Sequence, residues 1–104
     1  MKPKIVPSEE ILEKMERLLN VASDYTRLKI IYSLLNGEKC VGEIQTDIDA
    51  SQSLVSHQLK VLKNADLVSY RKEGTKVIYS LSDHHIHDLF AVVYEHVTEE
   101  KHHE

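Results

Sequence analysis

The chain has 104 residues and a formal net charge of -4, from 13 Lys and Arg against 17 Asp and Glu. With 41% apolar and 29% charged residues it has the balance of a single globular domain, expected to span 1–104, and not that of a disordered chain. No apolar run approaches the roughly 18 residues of a membrane span, the start Met1-Lys2-Pro3-Lys4-Ile5-Val6-Pro7 lacks a signal-peptide core, and the lone Cys40 cannot form an internal disulfide, so a cytoplasmic protein without membrane contact is expected.

Ser8 followed by Glu9 and Glu10 predicts a helix start, with a capping hydroxyl and acids in the first turn. Ile11, Leu12, Met15, Leu18, Leu19 and Ala22 then recur at helical spacing, which gives a helix over 8–22. Ser23-Asp24 breaks it and caps a second helix carrying Leu28, Ile30, Ile31, Leu34 and Leu35, stopped by Asn36-Gly37. A short helix follows from about Val41 to Ile48, then a turn, then a helix from Ser51 to near Asn64. The period changes to two at Leu67–Arg71 and Lys76–Leu81, which predicts a two-stranded hairpin with Lys72-Glu73-Gly74-Thr75 at its tip. Asp83 caps a last helix, over 83–98, whose apolar face is Ile86, Leu89, Phe90, Val93 and Val97.

The predicted fold is therefore mainly α with a β-hairpin wing, a winged helix-turn-helix. Residues 41–64 form its helix-turn-helix and 67–81 its wing. A chain this short gains core by pairing, so 8–22 and 83–98 are expected to be dimerisation helices.

Charge is distributed unevenly. Residues 1–50 carry -2, residues 51–77 carry +3 and residues 78–104 carry -5. An acidic protein binds nucleic acid when its cations share a face, because phosphate contacts are local. The helix from Ser51 splits by face: Leu54, Val55, Leu59 and Leu62 are expected inside, and Gln52, Ser53, Ser56, His57 and Lys60 outside. Hydroxyls and an amide in its first turns suit base edges and phosphates. Lys60 and Lys63 reach toward the backbone, and Arg71, Lys72 and Lys76 make a basic wing for a neighbouring groove. A solvated polar face is the plainer alternative; the basic hairpin that follows favours double-stranded DNA as the partner.

The run Ser51-Gln52-Ser53-Leu54-Val55-Ser56-His57-Gln58-Leu59-Lys60 and the Gly74-tipped basic hairpin resemble the ArsR/SmtB family of small dimeric bacterial repressors. The similarity extends from about Leu18 to Glu99. It implies a homodimeric winged helix that binds operator DNA and is released by an inducer ion.

The last helix carries its own evidence about that ion. Asp83, His85, His96 and Glu99 are two carboxylates and two imidazoles, a donor set suited to Zn(II). His85 and His96 are 11 residues apart, which returns to within ~20° of the same face, so His85, Leu89, Val92, His96 and Glu99 form one stripe. The same interval separates the two pairs by roughly 16 Å along the axis, too far for one ion. Two helices packed antiparallel bring Asp83 and His85 of one subunit to His96 and Glu99 of the other, twice per dimer. The resemblance agrees: the zinc-sensing branch of the family carries Asp-x-His, ten residues, His, two residues, then His or Glu. Asp83-His84-His85 and His96-Val97-Thr98-Glu99 match that pattern.

His84 and His87 lie off the stripe, and His102-His103 is a pair near the chain end; a role as extra ligands belongs to a Ni(II) alternative, Co(II) suits the same donors as Zn(II), and beside both stands a regulator that senses no metal. Cys40 lacks a second thiolate in Cys-x-Cys spacing and is expected to be structural. A metallohydrolase is disfavoured, because no third ligand with an open position and no poised base is visible. No enzyme activity and no small-molecule substrate are expected.

Overall fold

A computed structural model describes residues 5–99; His102 and His103 lie outside them. The elements are α1 (Glu9–Ala22), α2 (Tyr25–Leu35), β1 (Lys39–Cys40), α3 (Val41–Ile48), α4 (Gln52–Asn64), β2 (Val68–Glu73), β3 (Lys76–Leu81) and α5 (His84–Thr98). This is the winged helix-turn-helix expected from the sequence, with one strand more than foreseen.

Side-chain caps set the helix starts. Ser8 accepts from the Ile11 N–H, Asp24 from Arg27, Ser51 from Leu54 and Asp83 from Ile86, at 3.0–3.3 Å. Asp49 ends α3 in the left-handed region at φ 55°, which gives the tight turn into α4. The sheet is antiparallel in the order β1-β3-β2, with Cys40 opposite Ile78 and Arg71 opposite Ile78 on the other side. β1 is only two residues long, too short for any alternation to announce it. The hairpin tip is also tighter than expected: Lys72 and Glu73 are paired strand residues, and only Gly74-Thr75 turn, with Gly74 at φ 64°.

The core is built from Ile30, Ile31 and Leu34 of α2, Ile44 of α3, and Val55, Leu59 and Leu62 of α4, closed by Leu67 and Val68 under the wing. Leu54 is not part of it. Expected inside, it is 39% exposed, because Val55, Leu59 and Leu62 already occupy the buried stripe of α4.

The terminal helices depart most from a closed domain. Of α1 only Ala22 is buried, while Ile11, Leu12, Met15 and Leu19 are exposed. Of the predicted apolar face of α5 only Ile86 and Phe90 enter the core; Leu89, Val93 and Val97 stay exposed, with Val92 beside them. The Cα radius of gyration, 16.0 Å, exceeds the ~13 Å of a compact domain of about 100 residues.

Candidate nucleic-acid interface and metal-ligand stripe

Val55, Leu59 and Leu62 anchor α4 and leave its opposite face open. Gln52, Ser53, Ser56, His57, Lys60 and Lys63 are all exposed on that helix. Gln58, between the two faces, is half-buried and fixed: its Oε1 accepts from the Arg27 guanidinium at 2.8 Å, whose Nε donates to the Val21 carbonyl at 2.7 Å. The helix is thereby tied to the end of α1.

The wing continues this surface. Tyr70 and Lys72 lie on the sheet face toward α4, since side chains alternate along a strand and Tyr79, opposite Tyr70, packs on the core. The Lys63 ammonium stands 5.3 Å from the Tyr70 ring centroid, a cation–π contact joining α4 to β2. Tyr70 was not singled out by the sequence; its register with Tyr79 is what places it. Lys72 and Lys76 are exposed near the tip.

Arg71, on the other face, is engaged. Its guanidinium grips both carboxylate oxygens of Glu38, with Nη2 at 2.8 Å from Oε1, and also lies 3.0 Å from Glu73. The hydrogen bonds from Arg71 hold the Glu38 carboxyl below its ordinary pKa, and the two carboxylates push Arg71 upward.

α5 places the four stripe residues as two separate pairs. At its start Asp83 caps the helix, and the same Oδ1 that accepts from Ile86 lies 3.6 Å from His85 Nδ1. The Ile86 N–H and then the nearby His85 hold Asp83 below the usual carboxylate range, so it is an anionic donor at neutral pH. At the other end His96 and Glu99 line a surface hollow with Val92, Glu95 and Thr98. Among the described residues no three His, Cys, Asp or Glu side chains converge within one chain to hold a metal.

The donor types nevertheless fit such an ion. Each end offers one imidazole and one carboxylate, all exposed, with Leu89 and Val92 between. Of the off-stripe histidines, His84 stacks at 4.1 Å on His85, and His87 leans to Asp88 at 3.3 Å. Cys40 is half-buried at the cap of α3, its N–H donating to Glu43 Oε1 at 2.9 Å.

The family profile of the bacterial regulatory proteins of the arsR family matches residues 24–70, from the cap of α2 into the wing. A transcriptional repressor SmtB homolog of Synechocystis is 35% identical over 90% of this chain and 71% of its own length. A cadmium resistance transcriptional regulatory protein CadC homolog of Staphylococcus aureus is 42% identical over 80% of this chain and 69% of its own. Among solved structures, the homodimeric winged helix-turn-helix DNA-binding domain of a Mycobacterium bovis protein superimposes with a TM-score of 0.81 at 29% identity, covering 97% of this chain and all of that one.

Proposed function

The chain belongs to the ArsR/SmtB family of metal-responsive bacterial repressors, as its relatives show, and from the donors on α5 we propose that it is a zinc-released repressor. It is a DNA-binding transcriptional regulator and not an enzyme. The partner is operator DNA, bound by a homodimer. Pairing covers the exposed apolar faces of α1 and α5. Gln52, Ser53, Ser56 and His57 face base edges, while Lys60, Lys63, Lys72 and Lys76 meet phosphates. Arg71 joins them only when it leaves Glu38.

Asp83 and His85 of one subunit, with His96 and Glu99 of the other, are the residues that would hold Zn(II). When bound, the ion would supply a cross-link between the two donor pairs. Joining the α5 helices in this way restricts the subunits to an arrangement in which the two α4 helices no longer match successive major grooves. Couplings of this kind are typically about 1–3 kcal/mol, and a useful switch needs the upper end.

The observation that carries the reading is the pairing of donors at both ends of one exposed stripe, with apolar residues between. A nickel alternative draws on the stacking of His84 on His85, which brings a second imidazole to the Asp83 end. One relative is a cadmium resistance regulator, so the test includes more than one ion.

The test is fluorescence anisotropy of a labelled duplex from the gene's own upstream region, titrated with protein in chelator and then with zinc. Tight binding that collapses on zinc is expected. His96→Ala should keep the tight binding and lose the collapse; a normal zinc response in that variant refutes the ligand assignment. If wild-type binding is indifferent to zinc but falls with nickel, the nickel alternative takes its place.

A further inference from the structure

Glu38 and Arg71 are 33 residues apart in sequence, and neither belongs to an element that predicts the other. Glu38 precedes β1, at one edge of the sheet, and Arg71 lies on β2 at the other edge. The guanidinium therefore reaches diagonally across β3 to take both oxygens of one carboxylate. Glu73, on the same strand face two residues on, takes a further hydrogen bond at 3.0 Å. Of the wing cations Arg71, Lys72 and Lys76, it is Arg71, the most directional, that is held by the two carboxylates Glu38 and Glu73.

We propose that Glu38 is an internal stand-in for a DNA phosphate: it occupies the Arg71 fork in the free protein, so that DNA engages the wing arginine only by displacing it. This rests on the DNA-binding reading above. The chemistry is matched, since a guanidinium takes carboxylate and phosphate in the same bidentate geometry. The pair is also exchangeable. The two side chains are 50% and 48% exposed, and an ion pair that open to water is worth little.

The consequence is that the wing arginine meets phosphate only where the wing is held firmly. Binding to arbitrary DNA is almost entirely phosphate electrostatics. A cation already neutralised contributes little there. It contributes at an operator, where base contacts from α4 hold the wing against the backbone and strengthen its phosphate contact enough to displace Glu38. Glu38 thereby keeps Arg71 off the phosphates of arbitrary DNA, and lowers the affinity for any duplex by no more than the small worth of the pair.

The experiment compares wild type, Glu38→Gln, Arg71→Gln and the double variant, each in chelator, on the upstream duplex and on a scrambled duplex from low to high salt. Glu38→Gln is expected to bind the scrambled duplex about 2- to 5-fold more tightly, with a log–log salt slope steeper by about 0.9, one phosphate contact. The double variant is expected to bind as Arg71→Gln alone. Circular dichroism melts establish that each variant is folded. An unchanged slope and affinity in folded Glu38→Gln overturns the proposal and leaves the DNA-binding reading standing, as does an equal gain when Arg71 is absent. Failure of the wild type to bind either duplex overturns both.

Discussion

Removing one oxygen atom from Tyr32 tests how α5 is held on the body of the domain. The Tyr32 hydroxyl, on α2, donates to the Phe90 carbonyl at 2.8 Å, and its ring packs edge-on against Phe90 at 5.9 Å. Tyr32→Phe keeps the ring contact and deletes only the hydrogen bond. The Phe90 carbonyl lies inside α5, where the helix itself supplies a donor, so no orphaned acceptor remains. The cost is then that of one net hydrogen bond, about 1 kcal/mol, or roughly 4–8 °C in Tm for a domain of this size. Melts of wild type and variant at one matched protein concentration measure it. The pH dependence gives a second reading. Burial pushes the Tyr32 phenol above its ordinary pKa. A raised folded pKa means stability that is complete below the unfolded value of about 10 and is lost as pH climbs through and beyond it. Tyr79 shares this behaviour, Tyr32→Phe lacks one of the two contributions, and the gap between wild type and variant should narrow on the alkaline side. A variant that melts at or above wild type, or a gap unchanged into strong alkali, would refute the assigned role of the hydroxyl.

Two further substitutions separate roles that coincide in one residue. Asp83→Asn keeps a good N-cap for α5 but withdraws the anionic donor, so its melting should stay near wild type while zinc no longer releases DNA; Asp83→Ala should lose both, and a zinc response in the Asn variant would show that Asp83 is only a cap. Leu19→Asp changes a side chain that is 51% exposed in one subunit, so the fold should survive while size-exclusion chromatography shows a monomer and DNA affinity falls sharply; a dimer of normal affinity would place the subunit interface elsewhere.

The elements with a strong local signal were legible before the structure. The caps at Ser8, Asp24, Ser51 and Asp83 are short-range events, decided by a side chain and an N–H three residues on. What escaped was decided at long range. β1 exists because β3 is there to pair with it, and nothing in Lys39-Cys40 alone says so. Leu54 reads as core by composition, yet the buried stripe of α4 is filled without it. Arg71 reads as a free cation until the sheet brings Glu38 within reach across β3. The donor stripe on α5 was legible as a stripe, because 11 residues nearly close whole helical turns. The expectation that its two ends pair across subunits comes from the same spacing, since roughly 16 Å of rise keeps them apart within one helix.

That separation has a genetic consequence. On the arrangement proposed here, the start of α5 in one subunit answers to the end of α5 in the other, and neither subunit owns a complete site. Loss-of-response alleles should therefore fall into two groups, those that damage Asp83 or His85 and those that damage His96 or Glu99. A mixed dimer drawing one subunit from each group pairs the two undamaged ends with each other and gathers the damaged ones at the second site. The mixed dimer of different groups regains one complete site and that of the same group regains none, while the homodimers formed beside it stay on DNA in zinc and make every such allele dominant. The helix that keeps the donors apart is what makes the response a shared possession of two gene products.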